Sequence, residues 1–272
     1  MNPGASSSDD HAVIFGGPIV VMVRTRSGCL VAANSWEVSG LCPTIRDGVQ
    51  TLFESGPQVW YLSGQVDFGT VCPDTGTLIE GVDFHAPVAA ALRGGNARLP
   101  FVEVAGEITR ALVQAASDLW RSRPWSNDFP SDELTRIGVV RSREALLLGV
   151  WYQWDTKAFS TKATITSPIP RVSVNGDQVV HDTIHAGLAP VGAPAADPVY
   201  RRVVEGKDDP DVEEAMAFAS LLITANAQRD EARRGRWKTP VRSPMQAAHV
   251  EEDRVVWLAR ADSDPYLRDI SA

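Results

Sequence analysis

The chain has 272 residues, a hydrophobic share of 44%, a charged share of 22% and a formal net charge of −8, the composition of an ordinary globular protein. That balance argues against a nucleic-acid or anionic-membrane partner, and no apolar run approaches the roughly 20 residues that a bilayer span requires. Residues 1–17 read as a disordered or short N-terminal extension. They are mostly small and polar, they lack the charged and apolar regions of a signal peptide, and Val13–Phe15 could add a short strand.

Ile19–Ser35 reads as a buried hairpin, because two apolar runs flank the polar turn Thr25-Arg26-Ser27-Gly28. Gly28 is expected to supply the positive φ of that turn. Val49–Phe53 and Val59–Leu62 read as further strands around a Glu54–Pro57 turn. Thr70–Glu80 is rich in Gly, Pro and Thr, and Phe84–Arg93 reads as a short helix. Val102–Trp120 is a helix on the spacing of Val104, Ile108, Ala111, Ala115 and Leu119. Arg136–Val140 and Ala145–Tyr152 alternate across a polar turn, and Lys162–Ile165 and Arg171–Val174 follow, the latter ending in the hairpin signal Asn175-Gly176. Asp211–Arg234 is a second helix that opens on an Asp211/Glu214 capping box. Val241–Val250 and Arg254–Ala259 form a closing hairpin. Strands, helices, strands, helix, strands make an α+β chain.

The opening hairpin resembles one family. Val31-Ala32-Ala33-Asn34-Ser35, preceded by Gly28 and followed by Gly40, is similar to the V-A-A-D-S stretch that opens proteasome-type β subunits. Tyr61–Asp67 looks like that family's junction into its first helix, and Gly192-Ala193-Pro194, Val212-Glu213-Glu214-Ala215, Arg229-Asp230 and the final hairpin follow in its order. The resemblance implies a four-layer αββα sandwich of two antiparallel sheets flanked by helices, spanning residues 18–258, with 259–272 as a C-terminal tail. It also implies a homo-oligomer, a ring or a helical stack. Pairing with an active subunit encoded by another gene stays open.

In that family an N-terminal threonine attacks the scissile carbonyl, its free amine acts as base, and a lysine held by an aspartate lowers the amine's pKa. Carried over residue by residue, the threonine falls at Pro18, the aspartate at Asn34, the lysine at Gln50, a supporting serine at Ala193 and a later aspartate at Asp230. Only Asp230 matches the pattern. Proline has no hydroxyl, so the Gly17-Pro18 bond cannot be opened by self-attack, and an uncut Pro18 nitrogen is neither base nor nucleophile. Loss of both charges at Asn34 and Gln50 leaves no unpaired buried charge. The reading that results is a non-catalytic proteasome-like subunit with a structural or binding role. The alternative is a hydrolase of the N-terminal nucleophile fold with its chemistry moved to Cys29, Ser35 or Ser63.

Each remaining candidate has a plainer reading. Cys29 lies inside a strand and reads as a buried apolar thiol, and Cys42 and Cys72 read as loop thiols. The three cysteines make no paired framework and no CxxC, so a reducing cytoplasm is the expected location. His181 and His185 fall on one strand face rather than in a metal site, and no cofactor or metal is expected. Asp230 beside Arg229 also reads as a salt-bridged helix-end carboxylate. The eight tryptophans fit core packing or an interface, and both stay open.

Overall fold

The structure is a computed structural model that describes residues 18–39, 44–47, 50–64, 67–71, 78–122, 133–153, 158–174, 177–178, 197–233 and 245–260. The predicted opening hairpin is β1 (Val20–Thr25) and β2 (Gly28–Asn34), paired from Val20–Ala33 to Thr25–Gly28. β3 (Trp36–Ser39) pairs with β4 (Thr44–Asp47), β5 (Leu52–Ser55) with β6 (Gln58–Gly64), and β7 (Asp67–Val71) with β8 (Leu78–Asp83). Next come α1 (His85–Ala91) and α2 (Phe101–Ser122), then β9 (Glu133–Arg141), β10 (Glu144–Gln153), β11 (Ala158–Thr166), β12 (Val172–Val174) and β13 (Asp177–Gln178). The last described elements are α3 (Pro198–Glu205), α4 (Val212–Arg233), β14 (Met245–Val250) and β15 (Val255–Ala259).

Two larger antiparallel sheets carry the fold. One runs β13-β12-β1-β2-β14-β15 and the other β11-β10-β9-β6-β5. β1 and β2 are apolar on both faces because both faces are covered. Val21, Val23, Leu30 and Ala32 pack beneath Tyr200, Val203, Phe218 and Leu222 of α3 and α4. The alternate residues Val20, Met22, Cys29 and Val31 meet Leu52, Val59, Tyr61 and Val140 of the second sheet. The far face of that sheet, through Trp60, Leu62, Val139 and Leu148, takes Val88, Val104, Ile108 and Leu112 of α1 and α2. Three apolar layers between four layers of secondary structure make the expected αββα sandwich. Each large side chain in these layers contributes about 1.5–3 kcal/mol by leaving water.

Several expectations are corrected. Gly28 is not among the described glycines with positive φ, which are Gly56 and Gly94. Its role is close approach, since a Cβ at Gly28 would lie 2.1 Å from the Val250 carbonyl oxygen. The β6 strand does not run into a helix; the β7–β8 hairpin intervenes, and it includes part of the Gly-, Pro- and Thr-rich stretch. The β3–β4 hairpin and α3 are additions. Asp197 caps α3 by accepting the Val199 N–H at 2.8 Å, and Pro198 occupies its first turn. The capping box of α4 forms as read: Asp211 Oδ1 accepts the Glu214 N–H at 2.9 Å and Glu214 Oε2 accepts the Asp211 N–H at 3.3 Å. Val13–Phe15 and Asn175-Gly176 lie outside the described residues. No described helix is long and apolar enough to cross a membrane.

Candidate functional site

The start of β1 and the end of β2 meet at one end of the sandwich, and three of the five candidate positions gather there. Pro18 is buried immediately before β1. The next residue, Ile19, donates its N–H to Asn34 Oδ1 at 2.7 Å, and Asn34 returns its own N–H to the Ile19 carbonyl at 3.3 Å. The Thr51 hydroxyl donates to the Asn34 carbonyl at 3.0 Å, which brings the segment before β5 to the same place. Gln50, just before β5, turns its amide to the first residue of that strand, donating to the Leu52 carbonyl at 2.9 Å.

Gln246 completes this end. Alternation along β14 puts Ala247 toward the helices and Ala248 between the sheets, so Gln246 also points between the sheets. Its Oε1 accepts the N–H groups of Thr51 and Leu52 at 3.1 and 3.2 Å, and its Nε2 donates to the Ser35 hydroxyl at 2.7 Å. One carboxamide thus ties β14 of the first sheet to the β5 strand of the second. No side chain in these contacts carries a charge. The arrangement fixes the strand ends.

The proposed replacement nucleophiles are also accounted for. Cys29 is fully buried, and burial pushes its thiol well above the usual range, so it has no thiolate character at neutral pH. Ser35 is fully buried against Gln246. Ser63 is 5% exposed, and its hydroxyl faces the Arg136 carbonyl at 3.4 Å. Ala193, Cys42, Cys72, His181 and His185 lie outside the described residues. Asp230 falls in the last turns of α4, and its side chain is likewise outside them.

A polar cluster at the opposite end carries residues that sequence reasoning missed. His249 is buried on β14; its Nε2 is 2.9 Å from the Thr25 hydroxyl and its Nδ1 is 3.4 Å from Glu251 Oε1. Burial lowers the His249 pKa from its ordinary value against the pull of the Glu251 carboxylate, so the ring is neutral at pH 7. Thr25 is itself fully buried, so the hydroxyl end of this hydroxyl–imidazole–carboxylate line is enclosed. Nearby, Arg24 holds Asp209 through Nε at 3.0 and 3.1 Å and through Nη2 at 3.0 Å, pinning β1 to the loop before α4. The available signal for Gln246 and His249 was a polar residue at an enclosed position of an otherwise apolar strand.

No family model matches the chain, and no curated protein matches it. Among solved structures it is similar to an Anbu (Gly-1) mutant from Hyphomicrobium sp. strain MC1. The two share 14% identity over 94% of this chain and 92% of that one, with a TM-score of 0.41.

Proposed function

We propose that this chain is a non-catalytic, proteasome-like, self-assembling subunit with a structural or binding role. The observation that carries the reading is at the head of β1. Where the resemblance places a catalytic threonine stands a buried proline, and the N–H that follows it is bonded to Asn34 Oδ1 at 2.7 Å. An Asp at position 34 would hold a cation, whereas the Asn holds backbone. Gln50, at the position of that cation, is bonded to the Leu52 carbonyl at the start of β5. The proposal includes residues 18–258 as the assembling domain, 259–272 as a tail, a cytoplasmic location, and either copies of itself or an active related subunit as partner. The relocated-nucleophile alternative has less support, because Cys29, Ser35 and Ser63 are all buried.

Intact-mass measurement of the purified protein tests the non-catalytic part. The expected result is no cleavage at Gly17-Pro18, the only processing being loss of Met1. A mature N-terminus at residues 16–20 would overturn it. Light scattering tests the assembling part, with more than one copy per particle expected and a monomer at micromolar concentration the contradicting result.

A further inference from the structure

The imidazole of His249 is buried between a hydroxyl and a carboxylate. β14 keeps an unbroken register with β2 from Met245 to Val250, so His249 shares the helix-facing side of the first sheet with Ala247. Thr25 shares that side with Val21 and Val23 for the same reason. The two partners of the ring decide where its hydrogen sits. The Glu251 carboxylate accepts from Arg254, which holds its pKa below the ordinary value, so at neutral pH it is ionised and can only accept. Nδ1, which faces it at 3.4 Å, therefore carries the hydrogen of the neutral ring. Nε2 is then an acceptor, and the Thr25 hydroxyl donates to it across 2.9 Å.

A further proton must bind at Nε2, and Nε2 faces a hydroxyl that is fully buried. Once protonated, Nε2 becomes a donor. The Thr25 hydroxyl then has to turn about and accept, and its own hydrogen needs a new acceptor. Among the described residues His249 is the side-chain partner of that hydroxyl, so the displaced hydrogen is buried unpaired. Proton uptake and the closed arrangement thus compete. Several elements meet at Thr25. Its carbonyl accepts from Arg143 Nη2 at 3.0 Å, in the turn between β9 and β10. The next N–H, that of Arg26, donates to the Pro210 carbonyl at 3.2 Å, in the loop before α4. The charged groups that act on the ring are Glu251 and Arg254 of its own hairpin. From the neighbouring elements, Arg143 reaches the Thr25 and Arg26 carbonyls, and Arg24, Arg26 and Arg171 gather on Asp209.

We propose that the Thr25–His249 pair is an acid-operated latch, closed while the ring is neutral with its hydrogen on Nδ1 and opened by a proton on Nε2. Opening frees the end of the sandwich where β1, β14, the β9–β10 turn and the loop before α4 meet. The contacts described at the Pro18 end are made by neutral amides and hydroxyls, so that end stays closed over the same pH range. The latch is independent of the self-assembly reading.

Two measurements on the full-length protein test it. Long-range nitrogen–proton NMR correlation of the His249 ring at neutral pH reads the tautomer. Hydrogen on Nδ1 is expected, and hydrogen on Nε2 overturns the latch. Residue-resolved hydrogen exchange, corrected for the pH dependence of intrinsic exchange, reads the opening. Between about pH 7.5 and about pH 5.5 the Arg26 N–H should lose protection roughly three- to ten-fold, because the released imidazole regains its ordinary proton affinity. The Asn34 N–H, bonded to the Ile19 carbonyl at the other end, should change less. His249→Gln, which cannot titrate, should show no loss at Arg26 when compared with its own value at the higher pH. Equal losses at Arg26 and Asn34 indicate a change of the whole fold and overturn the latch. Unchanged protection at Arg26, or a loss there that persists in His249→Gln, overturns it as well.

Discussion

Gln246 shows what a single buried amide does for this fold. Gln246→Leu would leave the Thr51 and Leu52 N–H groups without their acceptor between the sheets, and would remove the donor to Ser35. Each buried group left unsatisfied costs about 1–3 kcal/mol, so urea unfolding should show a loss of roughly 2–4 kcal/mol. A loss below about 0.5 kcal/mol, typical of a surface change, would mean that the amide does not link the sheets. His249 gives a prediction in pH. Its folded pKa lies below the 6.5 of the free side chain, so on acidification the unfolded chain takes up the proton first. The contribution is therefore complete above pH 6.5 and declines as the pH falls below it, by up to about 1.4 kcal/mol per pH unit. Glu251 and Arg254 face this ring with opposite effects and are present throughout. His249→Gln should flatten the decline between pH 6.5 and 5; parallel curves for the two proteins would contradict this origin.

At the scale of elements, Gly28 decides how closely β14 can approach β2. Gly28→Ala places a methyl group 2.1 Å from a backbone oxygen that no rotamer change can move. We expect an overpacking cost of about 1–3 kcal/mol, read as a lowered melting temperature, and an unchanged melting temperature would show that the strands can part without penalty. The long elements were legible in the chain because their periodicity is strong: the β1–β2, β9–β10 and β14–β15 hairpins, α2 and α4 all fall close to their predicted places. β3, β4, β7 and β8 were not, since each has only four to six residues and Gly and Pro punctuate the sequence between them. α3 was missed because two turns of helix give too short a window for a period of 3.6. The site was legible in part for a different reason. Asn34 lies in a recognisable local motif, whereas the Gln246 contacts and the His249–Thr25 contact join residues 194 to 224 positions apart, and no local pattern encodes such pairs.

At the scale of the whole molecule, the two ends of the sandwich divide the polar work. One end is closed by neutral amides around Pro18, and the other by Arg24–Asp209 and the Thr25–His249–Glu251 line. The apolar layers between them need β1 and β2 on both faces of the first sheet, whatever stands at position 18. Groups that act together in catalysis are strongly non-additive, so restoring one does not restore function. Pro18→Thr would supply a hydroxyl, yet Asn34 and Gln50 would still provide neither the aspartate nor the cation. Whether any peptidase chemistry survives is tested most directly by fluorogenic peptide hydrolysis by the wild type and Pro18→Thr, with and without a threonine-directed epoxyketone. The predicted result is no turnover above the buffer blank by either protein. Turnover by the wild type that the epoxyketone abolishes would contradict it, and would place a working nucleophile in the opening strand.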